Sequence, residues 1–182
     1  MAGFELGFWN AWLMSVPFLA LVACMVGRKR DVVKRMSDMT GYSRTEKLLT
    51  VSASLSPYPF TLATIWVPFT SSVLLICLGL LVYVLGMAIL AASLNAIIET
   101  PLGEPFATGP YLFSRNPMYV GATAVLLGIC LATVNLGLFV YVVVATLLQH
   151  FMILAEERIC RIKFGALFDR YTERVPRYLL VV

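Results

Sequence analysis

Apolar residues gather into five long runs, at residues 8–26, 48–69, 72–98, 118–134 and 138–155, with every charged residue lying outside them. A helix rises about 1.5 Å per residue, so roughly 20 apolar residues cross the ~30 Å hydrocarbon core of a bilayer. The pattern therefore predicts an all-α fold, a polytopic membrane helical bundle of about five transmembrane helices. The last two runs form a C-terminal helical hairpin turning at Asn135-Leu136-Gly137, with arms at the short end of a full crossing. Past Glu156-Glu157 the pattern becomes amphipathic: Ile159, Ile162, Phe164, Leu167, Phe168 and Tyr171 alternate with Arg158, Arg161, Lys163, Asp169 and Arg170. Two short cytoplasmic helices parted at Gly165, lying in the plane of the interface, are expected there.

The runs differ in regularity. Trp9 and Trp12 suit the outer interface of the first, Pro17 kinks it, and Arg28-Lys29-Arg30 close its inner end. A signal peptide carries its positive charge ahead of the apolar run, whereas here Glu5 precedes it, so no cleaved signal is expected. Pro57-Tyr58-Pro59 must interrupt the hydrogen bonding of the second run. Between the third and fourth runs, residues 100–116 contain three prolines and two glycines and predict an irregular loop with free backbone groups. Gly121, Gly128 and Ala132 lie near one face of the fourth run, where they let another backbone approach.

Charge adds a topology. Of the 14 Lys and Arg residues, seven fall between Arg28 and Lys47, one is Arg115, and six fall between Arg158 and Arg177. The positive-inside rule places all three groups in the cytoplasm, giving an outside N-terminus and a cytoplasmic C-terminus. The connector 31–47 lies at the headgroups, where its basic residues anchor the chain or attract an anionic lipid. Hydrophobic residues make up 60% and charged residues only 13% of the 182-residue chain, against about 25% charged in a soluble domain. A single integral membrane domain is expected, with membrane lipids as surroundings and neither nucleic acid nor an obligate protein partner. Its brevity favours a prokaryotic inner membrane.

The loop and the hairpin base carry the candidate chemistry. Ionisable residues at the mouth of an apolar hairpin are costly to desolvate, which marks them as functional. Arg115 suits a carboxylate, Glu156 or Glu157 an ammonium or a ribose, and Tyr111 or Tyr119 a flat ring. S-adenosylmethionine has all three features, while the same side chains could instead pair as a structural ion bridge. His150, the sole histidine, has no nearby Cys or Asp partner, so no metal is expected. Cys24, Cys77, Cys130 and Cys160 are widely spaced and predict no disulfide framework.

The succession Gly109-Pro110-Tyr111, Arg115-Asn116-Pro117-Met118-Tyr119-Val120-Gly121, a hairpin, Glu156-Glu157-Arg158, Phe164-Gly165, Tyr171 and Val175-Pro176-Arg177 resembles the isoprenylcysteine carboxyl methyltransferase and phospholipid methyltransferase superfamily. The likeness covers residues 94–178 and leaves 1–93 as variable helices with a basic connector. It implies an S-adenosylmethionine-dependent membrane methyltransferase whose cofactor is held by Gly109, Tyr111, Arg115, Asn116, Pro117, Tyr119, Glu156 and Glu157. Arg115, Tyr119 and Glu157 are the expected catalytic residues, and replacing Glu157 by Ala is expected to abolish turnover with the fold intact.

Many members of that superfamily have His where this chain has Asn116, and an amide cannot serve as a base near neutral pH. The implied work is alignment of nucleophile, methyl carbon and sulfur in a water-poor site. The expected acceptor is lipophilic or small, an isoprenylcysteine carboxylate, a phospholipid amine or a thiol, and the residues do not choose among them. The other readings are a lipid or sterol reductase using a nicotinamide phosphate, and a non-catalytic membrane scaffold.

Overall fold

Residues 9–28, 38–101, 104 and 107–179 are described by the computed structural model of the chain. Among them the fold is all α: α1 (Trp12–Gly27), α2 (Arg44–Leu55), α3 (Pro57–Thr64), α4 (Val73–Glu99), a 3-10 turn (Gly109–Leu112), α5 (Pro117–Thr133), α6 (Leu136–Phe164) and α7 (Ala166–Arg174). Glu5, Phe8, Lys29 and Arg30, residues 31–37 of the basic connector, and residues 102, 103, 105 and 106 of the Pro-rich loop lie outside the described residues.

Local signals account for most of the boundaries. A capping box starts α2, with the Glu46 amide donating to Ser43 Oγ and the Ser43 amide to Glu46 Oε2. Pro57 opens α3, where a missing N–H leaves no helical bond unmade, so the predicted second span is two helices with Ser56 between them. Asn135 caps α6, its side chain accepting the Leu138 amide at 3.0 Å.

One boundary corrects the sequence reading. The arm expected to stop at residue 155 continues as α6 through Glu156-Glu157 to Phe164, so the first of the two expected amphipathic helices is an extension of the span. Residues 156–164 contain neither Gly nor Pro and are rich in good helix formers, so the helix propagates until Gly165 at φ +51°. The change from apolar to amphipathic marks a change of surroundings, not of backbone. Only the second expected helix is separate, as α7.

Two helices among the described residues, α4 and α6, are long and apolar enough to cross a membrane. Both keep large apolar side chains on the outside, including Leu74, Leu81 and Leu85 on α4 and Val140, Leu147 and Phe151 on α6. Apolar exterior on that scale is suited to lipid rather than water.

The most extensive packing joins α4 to α5, and it is made by glycine. A Cβ at Gly128 would stand 2.6 Å from the Gly79 carbonyl oxygen, and one at Gly121 would stand 2.7 Å from the Leu90 nitrogen. The stripe read in the fourth run thus approaches α4, with Gly79 and Gly86 as its counterparts, while the other hairpin arm packs chiefly on α2. Tyr141 on α6 donates to the Ser56 carbonyl at the break between α2 and α3. At the far end of the bundle from Glu156, the Ala11 amide donates to Val67 and the Thr70 amide to Ala132, tying the start of α1 and the α5–α6 turn to residues 65–70.

Candidate active site

Where α6 emerges from its apolar portion, the loop before α5 and the chain after α7 fold against it around a cavity of about 230 Å³. Pro117 begins α5 and fixes where its first turn points, so Asn116 and Tyr119 face α6. The cavity is lined by Tyr111, Arg115, Asn116, Tyr119, Glu156 and Glu157, six of the eight residues expected from sequence. Gly109 and Pro117 do not line it; they shape the backbone, Gly109 at φ +57° in the 3-10 turn and Pro117 at the start of α5.

The adjacent carboxylates have different surroundings. Glu157 is buried and saturated: Arg177 reaches it through Nη2 at 2.9 Å and Nε at 3.1 Å, Arg115 Nε lies 3.2 Å away, and Asn116 Nδ2 donates to it at 3.2 Å. Glu156 accepts one hydrogen bond, from the Tyr119 hydroxyl at 2.8 Å, and has no cationic partner among the described residues. Arg115 is also incompletely satisfied. One Nη donates to the Thr172 carbonyl at 3.0 Å, but its buried Nε–H, close to Glu157 without being aimed at it, completes no hydrogen bond. A cavity wall with an orphan guanidinium donor and an unpaired carboxylate is set for a ligand bearing both signs of charge.

The chain after α7 holds this arrangement in place. The Arg115 amide donates to the Pro176 carbonyl, Ser114 Oγ and Asn116 Nδ2 both reach the Arg177 carbonyl, and the Tyr171 hydroxyl donates to the Tyr111 carbonyl at 2.7 Å. Burial raises the Tyr111 and Tyr171 phenols above their usual value, so both remain neutral donors. The hydrogen bonds to Glu157 push Arg177 further up, fixing its charge.

Arg177 and Tyr171 were legible as parts of a motif but not as site residues; nothing in their spacing tells that the chain after α7 returns to Glu157. Lys163, Phe164, Phe168 and Tyr42 also line the cavity. Tyr42 is brought there by Arg158, which grips Glu46 at 2.7 Å and the Gly41 carbonyl at 3.0 Å. The backbone hydrogen bond from Ser43, followed by that from Arg158, holds the Glu46 carboxyl down to about 2. The contact remains charged well into acid.

No curated protein and no solved structure matches the chain. The family model for phospholipid methyltransferase (PEMT) matches residues 67–166, more than half of the chain, from the Val67 junction before α4 to the first residue of α7. The matched stretch contains the α4–α5 glycine contact, the loop with Arg115 and Asn116, and both carboxylates, and on that extent the chain belongs to the phospholipid methyltransferase family.

Proposed function

We propose that this protein is an integral membrane methyltransferase that uses S-adenosylmethionine to methylate a lipophilic acceptor at the cytoplasmic face. The observation that carries the reading is the convergence of Arg115, Glu156 and four tyrosines on one cavity, at the end of a bundle whose exterior is apolar. The orphan Nε of Arg115 suits the cofactor's carboxylate, the carboxylate of Glu156 suits its positive charge or its ribose, and Tyr111 and Tyr119 offer ring faces. Sulfonium chemistry supplies a methyl group to a nucleophile, the electrons of the broken carbon–sulfur bond staying on sulfur.

The chain's own part is to orient and to exclude water. Asn116 orients Glu157 through its amide and is no base, while a carboxylate or thiolate acceptor, already ionised, needs no proton removed by the enzyme. An amine acceptor does, and Glu156, joined to the Tyr119 hydroxyl, is the ionisable group whose capacity is not already used. Sideways entry from the bilayer brings the acceptor past the apolar exterior of α4 and α6. The five apolar segments all cross, with the basic residues inside by the positive-inside rule.

Calorimetric titration of the detergent-purified protein with S-adenosylmethionine, its demethylated product and reduced nicotinamide phosphate tests the reading. Saturable binding of the first two, lost in Arg115→Ala, is the expected result. A folded sample that binds neither adenosyl compound sinks it, and binding of the nicotinamide instead replaces it with a reductase.

A further inference from the structure

The buried ion cluster offers more donors than its carboxylate accepts. Arg115 and Arg177 both contact Glu157, and neither has a second acidic group in contact among the described residues, so each guanidinium keeps donors to spare. The unused donors point to two places. Those of Arg115 belong to the cavity, which Arg177 does not line. Arg177 spends Nε and Nη2 on Glu157, leaving Nη1 without a hydrogen bond among the described residues on a side chain that is 34% exposed.

The next residue extends this donor surface toward the apolar exterior. Tyr178 is hydrogen-bonded through its hydroxyl to His150 Nδ1 at 2.8 Å, and His150 Nε2 has no partner among the described residues. His150 precedes Glu157 by seven residues on α6, which sets it on the same helix face about 10 Å nearer the bilayer centre. It is half-buried, and its neighbours Leu147, Phe151 and Leu154 are exposed and apolar. A polar pair facing lipid is costly unless something polar meets it, and an arginine with a free donor edge favours a phosphate oxygen.

We propose that Arg177, Tyr178 and His150 form a binding site for the phosphate of a lipid headgroup, just outside the cavity and sharing Glu157 with it. Two anions, one in the cavity beside Arg115 and one outside it beside Arg177, then flank a single carboxylate. The phosphate meets the free donor edge of Arg177, and the acyl chains lie along the apolar face of α6. This site rests on the reading of a membrane lipid as acceptor: a phosphate bound here keeps the rest of the headgroup within a few ångströms of Glu157 and the cavity wall.

His150 is the only histidine in the sequence, so selective labelling gives one ring signal that reports on the site without turnover or cofactor. The full chain, carrying a histidine-free tag in maltoside micelles at fixed pH, is titrated with dioctanoyl phosphatidic acid, dioctanoylglycerol or inorganic phosphate. A saturable shift with phosphatidic acid alone is expected, its apparent affinity falling about tenfold or more in Arg177→Gln. Tyr178→Phe leaves the Arg177–Glu157 contact in place and weakens the same response, which covers the case of Arg177→Gln failing to fold. A ring signal that ignores phosphatidic acid in the folded wild type, or follows dioctanoylglycerol equally, overturns the site. Inorganic phosphate binding as tightly as the lipid overturns the lipid assignment. Because no adenosyl compound is present, failure here leaves the cofactor reading standing, and the calorimetric titration tests that reading separately.

Discussion

Glu156 and Glu157 are neighbours on one helix, yet removing the charge of each leads to a different loss. Glu157 answers two arginines and an asparagine, so Glu157→Gln strands a guanidinium whose side chain is only 9% exposed. Breaking a buried pair from one side costs about 3–5 kcal/mol. Glu156→Gln keeps an acceptor for the Tyr119 hydroxyl and strands nothing. Thermal unfolding in detergent should show Glu157→Gln melting well below wild type and Glu156→Gln close to it. Cofactor titration should show Glu156→Gln weakened about tenfold, the loss of one charge contact worth roughly 1.4 kcal/mol. Equal melting losses in the two variants would remove the distinction drawn between them. This also alters the sequence-based expectation for Glu157→Ala: loss of turnover there carries a loss of stability with it. The pair was legible in the sequence as ionisable residues beside an apolar run. Their division was not, because it depends on Arg177, which lies 20 residues further along the chain and is returned to Glu157 by tertiary structure.

At the scale of elements, the α4–α5 contact leaves no space for a side chain at its glycines. A Cβ on Gly128 meets the Gly79 oxygen at 2.6 Å and the Tyr83 nitrogen at 2.7 Å, both backbone atoms that cannot rotate away. Gly128→Ala should therefore destabilise the bundle by about 1–3 kcal/mol, since the helices must move apart and lose packing along their length. Gly27→Ala, at a position with nothing within 4 Å, is the control and should melt like wild type or slightly above it. Unchanged melting of Gly128→Ala would mean that the two helices are free to separate without cost. The stripe of Gly121, Gly128 and Ala132 was legible from spacing alone, because a row of small residues tells that some backbone comes close. It does not tell which one. The seven-residue interval between Gly79 and Gly86 repeats that between Gly121 and Gly128, and the antiparallel register pairs them crosswise. That matching interval was the available signal for the partner. The continuity of α6 was hidden for a different reason: hydrophobic pattern reports what surrounds a segment, and it changed at Glu156 while helix propensity did not.

For the whole molecule, the length of α6 links the site to the membrane. From Leu136 to Glu156 the helix climbs 20 residues, about 30 Å, which is the thickness of the hydrocarbon core. The carboxylates therefore emerge at one interface when the α5–α6 turn is at the other. The chain ends of the neighbouring segments agree: residues 10–11, 65–70 and 132 meet at the turn, while Arg44, Arg115, Arg158 and Arg177 accompany the site. Basic residues are generally retained on the cytoplasmic side, and the topology proposed above on that rule turns the α5–α6 turn outward and the cavity inward, toward the proposed cofactor. Leu136, 75% exposed at the turn, and Leu167, 59% exposed on α7, are suitable reporters of this arrangement. With the four native cysteines replaced, Leu136→Cys should react with a membrane-impermeant maleimide in intact cells, and Leu167→Cys only once the membrane is opened. The reverse order would put the basic end outside, away from any intracellular cofactor, and the cytoplasmic reading would fall with it. Reaction of both from the same side would mean that α6 does not cross the bilayer, and the apolar exterior of α4 and α6 would then need a protein partner to cover it.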